Sequence, residues 1–280
     1  MRRGLLFGMC ALLACEASGF EPEYLVDTLR VLAIQTDLPL AEPGESVHFT
    51  TMWADPNGAG RPISWAWGTC LNPGSAQIPD CARSMTSLSL GTDSFSATVP
   101  QSALDGVLVG ELGVIFAACA GTITLAPNPA TGAPVTCTDS SGTVGRQGFV
   151  WGGTRITVVK GLRNQNPGID QVFVDGNPWG KNDDVVLDPN VTHAFTYTMT
   201  DGSAETYDFG AGPITEQLVG WFYVTQGALV AGYASPDSSG AFDMTFTPPA
   251  TNRALLPHLW LVLRDDRGGL TYTDRTFSWR

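Results

Sequence analysis

Ile63-Ser-Trp-Ala-Trp67 sets large apolar side chains at every second position, with a small or polar residue between them. That period of two is the mark of a β-strand with one face in a core. Reading outward, short runs of the same texture recur at Leu29–Gln35, Val47–Trp53, Ser94–Val99, Val107–Cys119 and Thr154–Val159. Turn residues separate them, and 32 Gly and 19 Pro in 280 residues supply those turns. No helical periodicity is sustained. Spacing of this kind predicts a β-sandwich over residues 24–160, with a strand count near seven. Gly161-Leu-Arg-Asn-Gln-Asn-Pro-Gly168 then reads as a polar linker, 161–169.

A second series follows over 170–280: Gln171–Val174, His193–Met199, Leu218–Val224, Phe242–Pro248, His258–Arg264 and Leu270–Trp279. It repeats the first. Pro43–Asp55 matches Pro189–Asp201 in length, and Trp65 and Trp67 match Trp221 and Tyr223 on the third strand. Thr154-Arg155-Ile156 matches Asp274-Arg275-Thr276 on the last. The fold class expected is all-β, two tandem immunoglobulin-like β-sandwich domains. Trp65, Trp67 and Trp221 are assigned to the cores.

The N-terminus carries Arg2 and Arg3, then an apolar run from Gly4 to Ala14. It is short of the roughly 20 residues a spanning helix needs, and a basic start with a short apolar run is an export signal. Leu12-Leu13-Ala14-Cys15 resembles the bacterial lipobox, in which the Cys is acylated and the signal is cut before it. An ordinary Ala-x-Ala cleavage site fits less well, because the small residues fall at the wrong offset. The resemblance implies a signal peptide at 1–14, a lipid on Cys15, a tether over 15–23 and, with Glu16 rather than Asp after the Cys, the outer membrane. Removing Arg2 and Arg3, with no acid before Cys15, takes the net charge from −12 to −14. Lys160 and Lys181 are the two lysines, and no basic cluster exists. That excludes nucleic acid as a partner and leaves the lipid as the expected membrane contact.

Val26-Asp-Thr-Leu-Arg-Val-Leu-Ala-Ile34, Ala41-Glu-Pro-Gly-Glu45, Trp53-Ala-Asp-Pro-Asn-Gly58, Gly220-Trp-Phe-Tyr-Val-Thr225 and Leu261-Val-Leu-Arg-Asp-Asp-Arg-Gly-Gly269 resemble lipoproteins of myxobacterial type. The resemblance covers most of the mature chain. Its motifs are strands and turns, so it implies architecture and supplies no catalytic residue.

Four further cysteines enter an oxidising compartment, where disulfides are expected. Cys70 leaves the third strand at one end of the sandwich, and Cys119 ends the sixth strand at the other. A disulfide needs Cα atoms within about 7 Å, so the expected pairs are Cys70–Cys81 and Cys119–Cys137. The spacings lack the close cysteine pairs of zinc sites.

No Gly-x-Ser-x-Gly elbow, His-Glu-x-x-His motif or phosphate-binding glycine loop occurs. His48 and His193 take comparable strand positions, and His258 begins a strand. The acidic loops are more informative. Asp170, Asp201, Glu205, Asp208, Asp265 and Asp266 are expected to gather at the domain junction with Asn164 and Asn166, in the oxygen-rich setting calcium uses. Solvated turns are the plain alternative, and no cofactor other than calcium is implied. Strand one is expected to start near the membrane, with domain two in line beyond domain one. The distal tip would then hold Asn177–Asp188, Gln226–Gly232 and Pro248–His258, with Trp179, Lys181, Asn182 and Arg253 as ligand candidates. Trp179 is also read as a plug over the sandwich end. The function expected is a non-enzymatic binding or scaffolding module for an envelope protein or glycan. An envelope hydrolase with a loop-built site and a calcium-stiffened spacer are the alternatives.

Overall fold

The computed structural model describes residues 22–56, 58, 60–71, 81, 85, 87–126, 133–208, 212–250 and 256–280. The expected signal peptide at 1–14, Cys15 and Arg253 lie outside the described residues.

Domain one comprises β1 (Arg30–Thr36), β2 (Leu40–Ala41), β3 (Ser46–Ala54), β4 (Ser64–Leu71), β5 (Ser87–Gly91), β6 (Ser94–Thr98), β7 (Val109–Cys119), β8 (Thr122–Thr124), β9 (Thr136–Asp139), β10 (Gly142–Thr143) and β11 (Phe149–Val159). One sheet runs β1-β3-β6, and the facing sheet runs β2-β11-β7-β4-β5. Domain two comprises β12 (Ile169–Val174), β13 (Asn177–Pro178), β14 (Val185–Leu187), β15 (His193–Met199), β16 (Thr206–Asp208), β17 (Pro213–Thr215), β18 (Val219–Val224), β19 (Ala228–Leu229), β20 (Tyr233–Ala234), β21 (Ala241–Thr247), β22 (His258–Arg264) and β23 (Leu270–Trp279). Its sheets run β13-β12-β15-β21-β19 and β14-β23-β22-β18-β20.

The two plans are the same. In each, the first strand lies in one sheet, and a short continuation crosses over to pair in parallel with the last strand of the other: β2 with β11, and β14 with β23. This sheet switch and the strand order define two immunoglobulin-like sandwiches. Alternation along the strands fills both cores. Domain one buries Val47, Phe49, Trp65, Trp67 and Val114, and domain two buries Phe195, Tyr197, Phe222, Phe242 and Leu261. At Gly220 a Cβ would lie 2.1 Å from the Tyr197 hydroxyl oxygen, so only glycine admits that ring.

Domain two does not continue in line. It folds back beside domain one, and the outer faces of two sheets meet. Leu32, Ala33, Met52 and Ala54 from β1 and β3 pack against Tyr223, Trp260, Val262 and Leu270 from β18, β22 and β23. Trp221 packs against this seam rather than inside its own sandwich. The leader joins the seam too. Val26 is fully buried there. Its N–H donates to the Val224 carbonyl (2.8 Å), and the Val224 N–H donates to the Tyr24 carbonyl (2.9 Å). Residues just ahead of β1 therefore extend the edge of domain two.

The opposite face of domain one is covered by its own insertions. Cys70 is bonded to Cys81 and Cys119 to Cys137, with Cα separations of 5.6 and 5.8 Å. The second bond ties the small sheet β10-β9-β8 over Ala66, Ala117 and Phe149. The first sets Cys81 and Met85 against Ile115 and Trp151. The result is a stack: insertion layer, two sheets of domain one, two sheets of domain two.

Candidate functional site

Strand directions define two ends. β1 and β11 finish, and β7 begins, at the end where the linker leaves; β12 and β23 begin, and β22 finishes, at the same end. The other end holds the start of β1, the end of β18 and the leader. The linker end is a clasp built from side chains. The Arg163 guanidinium lies 2.8 and 2.9 Å from the Glu45 carboxylate and 3.5 Å from Glu42, and the Gly161 N–H donates to Glu42 (3.1 Å). Asn166 donates to the Thr36 carbonyl (2.6 Å) and accepts from the Leu270 N–H (2.8 Å). The amide thus joins the last residue of β1 to the first residue of β23. Asn164 donates to Asp265 (3.1 Å).

Arg267 is the hub. It sits in the Asp265–Gly269 turn, where the Asp265 carboxylate accepts the N–H groups of Arg267 (2.8 Å) and Gly269 (2.7 Å). Gly268 takes a φ of 98°, which favours glycine. The turn aims the guanidinium at Glu205 (2.6 Å), Glu216 (2.5 Å) and the Asn164 side-chain amide oxygen Oδ1 (2.7 Å), with its carbon 4.4 Å above the Tyr207 ring. The Glu216 side chain is fully buried. Burial pushes its carboxyl up from the ordinary value, opposed by the Glu205 N–H and by Arg267. Hydrogen bonds on both carboxylate oxygens are what make a buried pair tolerable.

This arrangement corrects the calcium reading. Glu205 and Asp265 do meet at the junction, but a guanidinium supplies the positive charge between the strands. Asp208 instead accepts the Gly212 N–H (3.1 Å), while Asp170, Asp201 and Asp266 are exposed. Among the described residues, no group of three or more His, Cys, Asp or Glu is placed to hold a metal.

The tip reading is corrected as well. Trp179 is 1 % exposed, with its ring 5.9 Å from Phe195 and 6.0 Å from Phe277. It closes that end of the core, as the plug reading has it. Lys181 reaches Asp274 (3.4 Å), and Asn182 is exposed. Because domain two folds back, all three sit at the end where the leader enters, not at the far end. His48 bonds Ser96 (2.9 Å), and buried His193 bonds Asp175 (2.7 Å) and the Asp188 carbonyl (2.9 Å). Half-buried His258 stacks on Trp260 and bonds Asp274 (3.0 Å), which holds the Asp274 carboxyl down at about 2.

Two features of the linker end escaped the sequence reading. A cavity of about 600 Å³ lies between the β1 and β11 edges and the Arg264–Leu270 hairpin, with Arg155 on its wall paired to Glu111 (3.2 Å). Val107, Leu108 and Val109 form an exposed apolar ridge where β7 begins, and Leu108 is 90 % exposed. The signal for the ridge was present: three apolar residues in a row have no alternation, so no strand face can hide them all. Arg267 was visible inside its acidic turn, but its partner Glu216 stands far away in sequence.

No protein-family model matches the chain, and no curated protein matches it. Among solved structures, the chain is similar to the D00-D0 domain of intimin, at 10 % identity over 89 % of this chain and 98 % of that one, with a TM-score of 0.25. The Yersinia pseudotuberculosis adhesin InvE gives 12 % identity over 89 % and 60 %, with a TM-score of 0.22. Dimeric latent PorU from Porphyromonas gingivalis gives 12 % over 90 % and 24 %, with a TM-score of 0.25.

Proposed function

We propose that the chain is an exported cell-envelope lipoprotein, acylated on Cys15, whose clasped sandwiches act as one rigid, non-enzymatic binding or scaffolding module. The ridge Val107-Leu108-Val109 carries this reading. Three consecutive exposed apolar residues are a liability on a surface unless something covers them, and a protein partner is what an apolar ridge fits. Two disulfides agree with an oxidising compartment.

Orientation supports the same view. The leader is pinned to Val224, so residues 16–21 are all that separates it from Cys15, a span of at most about 20 Å. The ridge stands at the opposite end of β7, an 11-residue strand, roughly 35 Å away. A lipid on Cys15 would hold the leader end down and present the ridge outward.

Fractionation tests the anchor: the protein pellets with the envelope, and Cys15→Ser releases it. A photo-crosslinker at position 108 tests the ridge against one at exposed Asp170. A discrete adduct from 108 alone is expected, and equal labelling from both sites would overturn the assignment.

A further inference from the structure

The leader end of domain two carries apolar side chains that no core claims. Val191, Val230 and Leu256 are exposed, the last two at 79 and 66 %. Val191 stands just before the start of β15, Val230 pairs its N–H with the Thr245 carbonyl (3.1 Å), and the Leu256 carbonyl takes the Thr225 hydroxyl (3.5 Å). All three therefore lie toward the end where the chain leaves for Cys15.

Beside them the leader and the β18–β20 edge enclose a recess of about 210 Å³. Tyr24, Trp221, Tyr223 and Tyr233 line it, with Glu23 and Arg30 at opposite charge. The Trp221 and Tyr233 rings lie 5.3 Å apart, and Tyr233 is 59 % exposed. Arg30 donates through Nη1 to the carbonyls of Glu23 and Leu25, each at 2.8 Å. Among the described residues its Nε and Nη2 have no partner, so they stay available to an acceptor.

We propose that this end of domain two docks on the membrane surface, and that the recess seats the headgroup of a zwitterionic phospholipid. The ammonium lies on the Trp221 and Tyr233 rings beside Glu23, and the phosphate lies on Arg30. The proposal rests on the Cys15 anchor proposed above. The length of chain outside the structure argues for this occupant: residues 16–21 reach about 20 Å, so the bilayer is the surface held nearest to the recess. The chemistry argues for it too. Aromatic faces attract alkylammonium groups, guanidinium suits phosphate, and Trp and Tyr favour the bilayer interface. A net charge of −12, or −14 without Arg2 and Arg3, opposes anionic lipid but not a zwitterion.

The test uses the unacylated mature chain from residue 16, which keeps every described residue. It should float with phosphatidylcholine vesicles and bind phosphatidylglycerol vesicles less. Tyr233→Ser should weaken binding about three- to tenfold, in the range a cation–π contact supports, while Tyr233→Phe keeps it. Soluble phosphocholine should compete. Circular dichroism checks that the variants stay folded. Absent flotation, equal binding by Tyr233→Ser, preference for anionic vesicles, or failure of phosphocholine to compete would each overturn the proposal. The anchor is read apart, by the mass of protein extracted from the envelope. An unmodified Cys15 removes the anchor and leaves the vesicle result to decide the recess.

Discussion

β4 and β18 occupy the same place in their sandwiches, yet they turn their aromatic residues in opposite directions. On β4, Trp65 and Trp67 point into the core, and Trp67 stacks on Trp65 at 6.0 Å and on Phe95 at 5.4 Å. On β18, Trp221 and Tyr223 point out into the seam between domains, and Phe222 and Val224 fill the core. The repeat seen in the sequence aligns the two Trp-x-aromatic pairs, and that alignment is one residue out of register with the faces. With a period of two, a slip of one exchanges inside for outside. The difference follows from burial. The outer face of the β18 sheet is covered by domain one, so both faces of that strand demand apolar residues and alternation ceases to mark a face.

The comparison breaks most severely at its best-packed point. Trp67→Ala removes a side chain that is nearly fully buried and stacked, and whose Nε1 donates to the Thr92 carbonyl at 2.8 Å. A loss of about 3–5 kcal/mol is expected, read as a lower chemical-denaturation midpoint with domain one unfolding first. Arg267→Ala is expected to cost a comparable or slightly smaller amount, about 3 kcal/mol, because it strands the buried Glu216 carboxylate. That cost depends on pH with a definite sign. Burial raises the Glu216 carboxyl, so its protonated form is favoured in the folded state. The contribution from protonation is complete below the ordinary value of 4.5 and is lost as pH rises through the folded value. Equilibrium unfolding should therefore show the gap between the variant and the parent narrowing on acidification. A constant gap would remove Glu216 from the explanation.

Most strands were legible because their outward faces are polar or their ends carry turn residues. Val47–Trp53 and His258–Arg264 nearly coincide with β3 and β22. The expected cysteine pairs followed from strand ends alone, since β4 and β7 are antiparallel and place Cys70 opposite Gly113, far along from Cys119. The docking of the domains was not legible. Leu32 and Met52, which make the seam, look like the spare apolar residues any surface holds. Nor was the identity of the junction cation legible, because a carboxylate cluster reads alike whether calcium or Arg267 faces it. The missing information in both cases is a contact between residues remote in sequence: Leu32 with the β22–β23 face, and Glu216 with Arg267.

The seam gives the next test in size. Trp260→Ala should cost about 2 kcal/mol or somewhat more, through lost seam packing, and should leave both cores intact. Small-angle scattering should then show the two sandwiches separating, while near-ultraviolet signals from Trp67 and Trp179 persist. Trp65→Ala is the matched control: it should disturb domain one without opening the seam. If Trp260→Ala leaves the outline unchanged, the clasp at Arg163 and Arg267 alone suffices to hold the pair.

The smallest effect separates the two ends of the seam. Asp274 on β23 accepts from His258 and faces Lys181, and its carboxyl is held at about 2 against an ordinary 3.8. A depressed folded value means the stabilisation is present above 3.8 and fades as pH falls through about 2. Asp274 is partly exposed, so solvent screens the pair and the effect is modest. Asp274→Asn should lower stability at neutral pH and match the parent once the pH falls below about 2. Because His258 is stacked on Trp260, the substitution should also loosen the seam at the leader end. Hydrogen exchange at Val224 and Val26 should then rise, while the Arg267 turn stays protected. Equal exchange at both ends would mean that the seam opens as one unit, with the leader and the clasp coupled through the stacked sheets rather than secured separately.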